Sequence, residues 1–448
     1  MKKKILSCVL LLFMIIAFFP KNIEADTPTK IVDLDDLKAA ISNGGNYILM
    51  SNIDIPKGEH DETDVSKTLT LDLNGHYINH CHPFSTFEVQ TGGVLYLINT
   101  SETPAYITHE NAWDSDETDK KSFAIVKATG TGKAYLGGNG SKGIVELKGS
   151  NDIYDIDGFG AGVRLTDGGG YFEMNEFGKI SNCIANGGGA GICVDAGGIF
   201  VMNGGSIEDC AANKKGGADG MGAAVLNRGT FKMFGGVITN NKVDGHGGGV
   251  YNEGTMIIGK NAKITGNTLI DGTTVNNLYL PSSELIQLAT GENVPTSEMS
   301  AGISLENTTG TFVESITTGD YIQYFSSDKE GYYPRYIADS SKYVIEKVFS
   351  NTIVAGISNG TITVNKEKAF KNEVVTITVV PASGYRLVTD SLKATYNGGT
   401  ECDLTSIGDS KYTYTMPEYD VSLMANFEEV PSPGPGPGYT IPNTGIRR

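Results

Sequence analysis

One phrase recurs four times in the middle of this chain. Each copy opens on a Gly-rich triplet, continues into a short alternating stretch and ends on an Ile before a polar corner. The copies span 160–183, 189–210, 222–241 and 247–267. The Ile recurs at nearly equal steps, at Ile180, Ile207, Ile238 and Ile264. Such self-similarity indicates a repeat architecture, whose units bury apolar side chains only by stacking on one another.

The interior of each copy alternates apolar and polar residues, as in Thr230-Phe-Lys-Met. Alternation with β-favouring residues predicts strands, and the Gly-Gly and Asn-Gly pairs between them predict sharp corners. No helical 3.6-residue pattern fills a copy, which excludes ankyrin-like and leucine-rich repeats. We therefore predict an all-β protein built on a single-stranded parallel β-helix. The coil is expected to be right-handed, because parallel crossover connections almost always are.

The first residues have the pattern of a secretory signal peptide. Met1-Lys-Lys-Lys precedes an apolar run of about 15 residues, and Ile23-Glu-Ala25 follows that run. A membrane anchor is the alternative, but a spanning helix needs about 20 apolar residues. No other stretch is long and apolar enough to span. We expect a secreted protein with no membrane span in its mature chain.

Composition and pattern divide the chain into four segments. Leu37-Lys-Ala-Ala-Ile41 predicts a short amphipathic helix that caps the open end of the coil. The repeat phrase fades after Asn276, which predicts atypical final coils. The predicted segments are a signal peptide over 1–25, a capped parallel β-helix over 26–345, a small β-sandwich-like module over 346–429, and a Pro/Gly spacer with a short terminal motif over 430–448.

Two sets of phrases resemble bacterial surface modules. The phrases "TLTLDLNGHYI", "GGVLYLINTS" and "GGGVYNEGT" resemble pectin-lyase-like β-helices of bacterial surface proteins. The order "GTITV", "VTITVVPASGYRL" and "YTYTMPEYDVSLMANF" resembles the internalin-type bacterial repeat module. That module is a small stalk unit, and it implies no catalytic chemistry. Together the resemblances imply a surface protein of a Gram-positive bacterium.

The last residues resemble a wall-sorting signal. A Pro/Gly spacer over 431–438, reaching roughly 3 Å per residue, leads to a five-residue motif. The motif consists of Ile441, Pro442, Asn443, Thr444 and Gly445, and Ile446-Arg-Arg448 follow it. It resembles the sortase motif of Gram-positive surface proteins, with Ile in place of the usual Leu. The resemblance implies sortase attack at the Thr444–Gly445 bond and attachment of Thr444 to peptidoglycan in the cell wall.

The net charge of −17 argues against nucleic acid or an anionic membrane as the partner. A solenoid offers a long rigid flank with room for many weak contacts. We expect adhesion to, or recognition of, a glycan or a host or bacterial surface protein. Two alternatives stay open, a polysaccharide lyase or hydrolase and a purely structural spacer.

The lyase alternative needs carboxylates that hold Ca²⁺ and an Arg or Lys that takes a proton from the sugar. One candidate set is Asp152, Asp155, Asp157 and Asp167 with Arg164, and a looser set is Asp195, Arg228 and Asp219. Acids beside Gly are first of all turn residues. We predict no catalytic residue and no cofactor, with Ca²⁺ as the one ion considered. His246 lacks the paired Asp motifs of hydrolases and is expected to be a corner residue.

The cluster of His76, His80, Cys81 and His82 combines metal-ligand types, but its spacing matches no standard zinc motif. A surface turn is the preferred interpretation. Near the end of the β-helix segment, several tyrosines are candidates for stacking on sugar rings, with strand packing as the alternative. They are Tyr332, Tyr333, Tyr336 and Tyr343.

Five cysteines follow the signal peptide, an odd number that leaves at least one thiol free or bonded between molecules. Cys183 and Cys210 each follow the repeat Ile by three residues. Stacked coils lie about 4.8 Å apart, so this pair can form a disulfide. The preferred interpretation is a stacked ladder of Cys on Cys, continued by Asn241 on Asn267, whose amides satisfy backbone groups at the corner.

Overall fold

The computed structural model describes residues 27–56, 63–80, 85–109, 124–138, 140–149, 157–166, 168–214, 219–314 and 319–431. The chain divides into two compact units. The first lies within Met1–Lys329 and Tyr336–Val344, and the second within Glu330–Arg335 and Ile345–Arg448. The predicted signal peptide and the sortase-like motif lie outside the described residues.

The first unit is a coil of short strands that return, turn after turn, to the same parallel ladders. The first ladder comprises Thr29–Ile31, Gly45–Leu49, Thr68–Asp72, Val94–Ile98, Lys133–Leu136, Tyr171–Met174, Ile199–Met202, Thr230–Met233, Thr255–Ile258, Ile286–Leu288 and Gly310–Val313. The second comprises Ile53–Ile55, Tyr77–His80, Ala105–His109, Val145–Lys148, Gly178–Ser181, Ser206–Glu208, Val237–Thr239, Lys263–Ile264, Ser300–Leu305 and Phe325–Ser327.

Two further ladders lie on the coil, and the fourth ladder is described only over 157–269. The third comprises Asp64–Val65, Phe87–Val89, Val126–Ala128, Val163–Leu165, Ile192–Val194, Val225–Asn227, Val250–Asn252 and Leu278–Leu280. The fourth comprises Asp157–Phe159, Ile184–Gly188, Ala211–Asn213, Gly220–Met221, Lys242–Val243, Gly245–His246 and Thr268–Leu269. Strands pair in parallel along each ladder, as in the register of Ile180 with Ile207. The predicted parallel β-helix is confirmed.

The core is filled by equivalent side chains from successive coils. The repeat residues Ile180, Ile207, Ile238 and Ile264 are all 0% exposed and lie in register along the second ladder. Burial of one such side chain contributes about 1.5–3 kcal/mol. The repeat period in the sequence therefore equals the number of residues in one coil.

A glycine corner explains why every copy opens on Gly. Gly189 and Gly222 both have φ of +58°, in the left-handed region. A Cβ on Gly222 would lie 2.2 Å from the carbonyl oxygen of Val225, and one on Gly189 would lie 2.7 Å from that of Ile192. Only glycine meets both demands without strain.

Both ends of the coil are covered. The helix Leu34–Asn43 begins at Asp33, whose side chain accepts a hydrogen bond from the Asp36 N–H at 3.0 Å. It buries Leu37, Ala40 and Ile41 against the first turn, as the sequence predicts. At the other end, the rings of Phe312, Phe325 and Tyr343 pack together. Short 3₁₀ helices occupy Gly291–Asn293, Ile322–Tyr324 and Ala338–Ser340.

The second unit is a small β module. Its antiparallel sheet runs in the order Gly360–Val364, Val374–Pro381, Lys411–Thr415 and Thr405–Gly408. The other strands of this end of the chain are Tyr332–Ile337, Lys342–Ile353, Lys368–Phe370, Tyr385–Leu387, Lys393–Tyr396, Thr400–Glu401, Val421–Met424 and Phe427–Glu429. The core includes Val375, Ile377 and Leu423, each 0% exposed. A small β module after the coil is therefore confirmed.

Candidate functional surface

Three tyrosines stack on the outer side of the first ladder. Leu95 and Leu97 point into the core, so Tyr96 between them points outward. The ring of Tyr135 lies 4.6 Å from that of Tyr96 at an interplanar angle of 16°. The ring of Tyr171 follows at 5.7 Å, tilted by 50°. The ladder thus carries a row of half-buried phenol groups over three coils.

Polar side chains extend this row toward the next corner. The hydroxyl of Tyr171 donates to Oε2 of Glu173 at 2.5 Å. The Nδ2 of Asn203 donates to Oε1 of Glu173 at 3.2 Å and to Oδ1 of Asn175 at 3.1 Å. We call the whole set the tyrosine face: Tyr96, Tyr135, Tyr171, Glu173, Asn175 and Asn203.

Two phenols of this face, Tyr135 and Tyr171, have a raised pKa. Partial burial, and then the neighbouring Tyr96 and Glu173, raise the pKa of Tyr135. Partial burial and the hydrogen bond to Glu173 raise the pKa of Tyr171. At neutral pH the hydroxyl of Tyr135 can therefore both donate and accept, whereas that of Tyr171 donates to Glu173 and can accept. Since the rings of Tyr96 and Tyr135 each cover one face of the other, a ligand would meet mainly their edges and hydroxyls.

The structure brings together only part of the predicted lyase set. The Nε of Arg164 lies 3.2 Å from Oδ2 of Asp195. Arg228 instead pairs with Glu253 at 3.0 Å, and Asp219 pairs with Lys214 at 2.6 Å. The side chains of the remaining candidates lie outside the described residues: Asp152, Asp155, Asp157 and Asp167. Both arginines are thus engaged in ion pairs along the third ladder.

The histidines are dispersed over the coil. The ring of His246 stacks on Tyr279 at 4.3 Å. The Nδ1 of His76 lies 3.2 Å from Oδ1 of Asn52, while His80 contacts Thr86 at 3.3 Å. Cys81 and His82 lie outside the described residues. Within the ranges that the structure describes, no group of three or more His, Cys, Asp or Glu could hold a metal ion.

The Cys183–Cys210 disulfide, the less favoured of the two outcomes considered, is not present, and both residues are free thiols. Each sulfur donates to a backbone carbonyl two residues earlier, Ser181 or Glu208, at 3.4 Å. The two thiols also interact with each other across the stacked coils. Burial also raises the pKa of the Cys210 thiol, and a raised pKa disfavours the thiolate that oxidation requires.

The stacked ladder, the preferred prediction from sequence, continues through the following coils. The backbone N–H of Cys210 donates to Oδ1 of Asn241 at 3.0 Å, and Nδ2 of Asn241 donates to Oδ1 of Asn267 at 2.8 Å. Asn267 donates in turn to Asn277 at 3.1 Å, and Nδ2 of Asn277 donates to Oδ1 of Asp328 at 2.7 Å. The amide ladder thus ends on a carboxylate.

The tyrosines proposed from sequence differ in environment. Tyr343 is fully buried, and the edge of its ring meets Tyr336 at 5.6 Å. Tyr333 is 44% exposed. Sequence reasoning missed the tyrosine face. Tyr96 and Tyr135 each lie between apolar residues, which marks an outward position, but the register that pairs them is visible only in the structure.

Comparison with known proteins identifies one module. Residues 350–431 match the family model of the divergent InlB B-repeat domain. The comparisons with curated proteins and with solved structures found no match. In the described part of the chain, no helix is long and apolar enough to cross a membrane. The chain thus carries, after its coil, a repeat domain of the kind that indicates an extracellular or cell-surface protein of bacteria, of adhesion type.

Proposed function

We propose that this protein is a secreted adhesin that binds a glycan along the tyrosine face of its coil. The observation that supports this most directly is the row of phenol groups over three coils, continued by Glu173, Asn175 and Asn203. Phenol, carboxylate and amide groups are the partners that sugar hydroxyls need. Successive coils repeat about every 4.8 Å, which presents these groups to an extended polymer as a series.

The rest of the chain fits a role at the cell surface. The divergent InlB B-repeat domain follows the coil, and a Pro/Gly spacer leads to the sortase-like motif at Thr444. We propose that sortase joins Thr444 to peptidoglycan. Incubation of the full chain with a sortase and triglycine should then give a product linked at Thr444. A Thr444→Ala variant should give none, and a wild-type chain that forms no product would contradict this anchor.

Binding is favoured over lyase chemistry because both candidate bases, Arg164 and Arg228, are already paired with carboxylates. Arg164 and Arg228 each hold a carboxylate through Nε, so they are engaged as structural cations. A lyase would need one of them released toward a sugar. The spacer alternative predicts no glycan retention at all, which separates it from the adhesin in one experiment.

The test is to incubate the full chain with plant, host and bacterial polysaccharides, with and without Ca²⁺, and to record retention and new chain ends. We expect retention without cleavage. Calcium-dependent cleavage would establish a lyase. The absence of both retention and cleavage for every polysaccharide in the panel would favour the spacer. Tyr135→Phe removes one hydroxyl and should weaken retention about 2- to 10-fold. Tyr77→Phe, on the stacked pair with Tyr106 of the second ladder, is the control.

A further inference from the structure

A sugar that stacks on a protein needs an exposed aromatic ring, and the rings of the tyrosine face are half-buried, with Tyr96 and Tyr135 stacked on each other. Such a ring lies at the next corner. Phe177 is 41% exposed and makes no ring contact with any residue in the described ranges. It follows the strand Tyr171–Met174 by three residues, next to the polar end of the tyrosine face.

Phe177 is held in a backbone conformation that disfavours it. Its φ is +67°, in the left-handed region, where a bulky side chain is an outlier. Neighbouring coils have glycine at this corner, with φ of +73° at Gly137, +80° at Gly205 and +81° at Gly236. Folding alone would therefore favour Gly or Asn at this position. Strained residues of this kind cluster at functional sites.

The surroundings of Phe177 are those of a small binding site. The carbonyl of Phe177 accepts from the N–H of Val145 at 2.9 Å, which sets Ile144, 38% exposed, beside it on the preceding coil. Asn175 lies two residues away, with Glu176 between them, exposed to solvent. A stable protein interface needs about 800 Å² per partner. Two exposed apolar side chains bordered by amide and carboxylate groups suit a sugar ring better.

We propose that Phe177 is the aromatic anchor of a site for a neutral glycan. A pyranose ring stacks on the open face of Phe177, and its hydroxyls hydrogen-bond the amide of Asn175 and the carboxylate of Glu173. An acidic sugar would be repelled by Glu173 and Glu176 and by the net charge of −17. This inference rests on the proposed function and names its ligand class and anchor.

The probes are three neutral hexasaccharides, cellohexaose, xylohexaose and chitohexaose, with hexagalacturonate as the acidic counterpart. Binding to the full chain is measured by titration calorimetry. We expect at least one neutral hexasaccharide to bind and hexagalacturonate to bind at least tenfold more weakly. Phe177→Asn should lower affinity at least tenfold while raising the thermal midpoint, since Asn tolerates this backbone. Phe177→Tyr keeps a ring and should bind within about threefold of wild type.

Ile270→Asn is the control, because Ile270 is 55% exposed and lies on another corner. It should leave affinity unchanged. If Tyr135→Phe weakens binding while Phe177→Asn does not, the anchor is wrong and the proposed function stands. If hexagalacturonate binds best, or a host protein binds through Phe177 and no glycan does, the ligand class is overturned. If no saccharide or polysaccharide binds, both proposals fail.

Discussion

Phe200 shows how a single residue is stabilised by its equivalents one coil away. Its ring is 0% exposed and lies 5.7 Å from Phe172 and 4.7 Å from Phe231, stacked at 7° on the latter. We expect Phe200→Ala to lower the free energy of unfolding by about 3–5 kcal/mol. The adjacent Ile199 is 37% exposed, and Ile199→Ala should change it by less than about 0.5 kcal/mol. Equal effects in equilibrium denaturation would contradict the assigned inward and outward positions.

Thiol reactivity tests the state of the cysteines. Cys183 and Cys193 are 0% exposed and Cys210 is 1% exposed, whereas Cys402 is half-buried. Among these four described cysteines, an alkylating reagent should label Cys402 first in the folded protein, with the other three labelled only after denaturation. Peptide mapping by mass spectrometry measures this. A Cys183–Cys210 pair that stays unlabelled in denaturant without reductant would mean that a disulfide forms after all.

The environment of His109 predicts a loss of stability in acid. Its ring meets that of His80 edge-on at 5.1 Å. Burial, and then the neighbouring His80, lower the pKa of His109 from 6.5 to about 3. Above pH 6.5 the site is neutral in both states and contributes nothing to the pH dependence. Below pH 6.5 and down to about 3, the unfolded state binds a proton that the folded state does not.

Stability at this site should therefore fall by up to about 1.4 kcal/mol per pH unit in that window. Thermal midpoints between pH 7.5 and 4.5 measure the fall. His109→Gln should flatten the slope, whereas a variant at the half-exposed His76, His76→Gln, should leave it as in wild type. Parallel slopes for wild type and His109→Gln would rule out His109 as the cause.

Residue environments were only partly predictable from sequence. The repeat Ile was predictable because an inward position recurs once per coil. The stacking of Tyr96 on Tyr135 was not, because both residues precede the first copy of the phrase and the step between them is longer than any step between the repeat Ile residues. The exposure of Phe177 was hidden as well, since a left-handed backbone at a bulky residue follows from the surrounding coils and not from its own preference.

At the level of elements, the amide ladder joins coils that differ in sequence. Asn267 is 0% exposed, and its Nδ2 donates to the carbonyl of Ile238 at 3.0 Å and to Asn277. Asn267→Ala should lower the free energy of unfolding by about 1–3 kcal/mol, because buried backbone groups lose their partners. Asn307→Ala is a matched control at an exposed amide that donates to Ser282. If Asn267→Ala costs no more than this control in equilibrium denaturation, the ladder is not stabilising.

The glycine corners show why the element type was readable from sequence and the fourth ladder was not. The left-handed φ values at Gly189 and Gly222 favour glycine, and this glycine is visible at the start of the repeat phrase. The fourth ladder is built from stretches such as Lys242–Val243 and Gly245–His246, only two residues long. Such pairs carry no detectable period, because their pairing depends on the coils above and below.

For the whole molecule, two separate cores predict two unfolding transitions. The second unit has its own buried cluster, which includes Val375, Ile377 and Leu423. In calorimetry, Phe200→Ala should lower the midpoint of one transition and Ile377→Ala that of the other. The stability of a solenoid is a sum of terms between neighbouring coils, so in Phe200→Ala the unfolding transition of the coil should also become less cooperative. A single transition that shifts equally in both variants would contradict two independent units.

The most direct test of glycan recognition on the coil is hydroxyl-radical footprinting of the full chain, alone and with a polysaccharide that it retains. Oxidation should decrease at Phe177, Tyr135 and Tyr171 when the polysaccharide is present. It should stay unchanged at Tyr333 and Tyr419, which are 44% and 48% exposed. Protection confined to Tyr333 and Tyr419, with Phe177 oxidised as in the free protein, would contradict recognition by the tyrosine face and move the binding site to the other end of the chain.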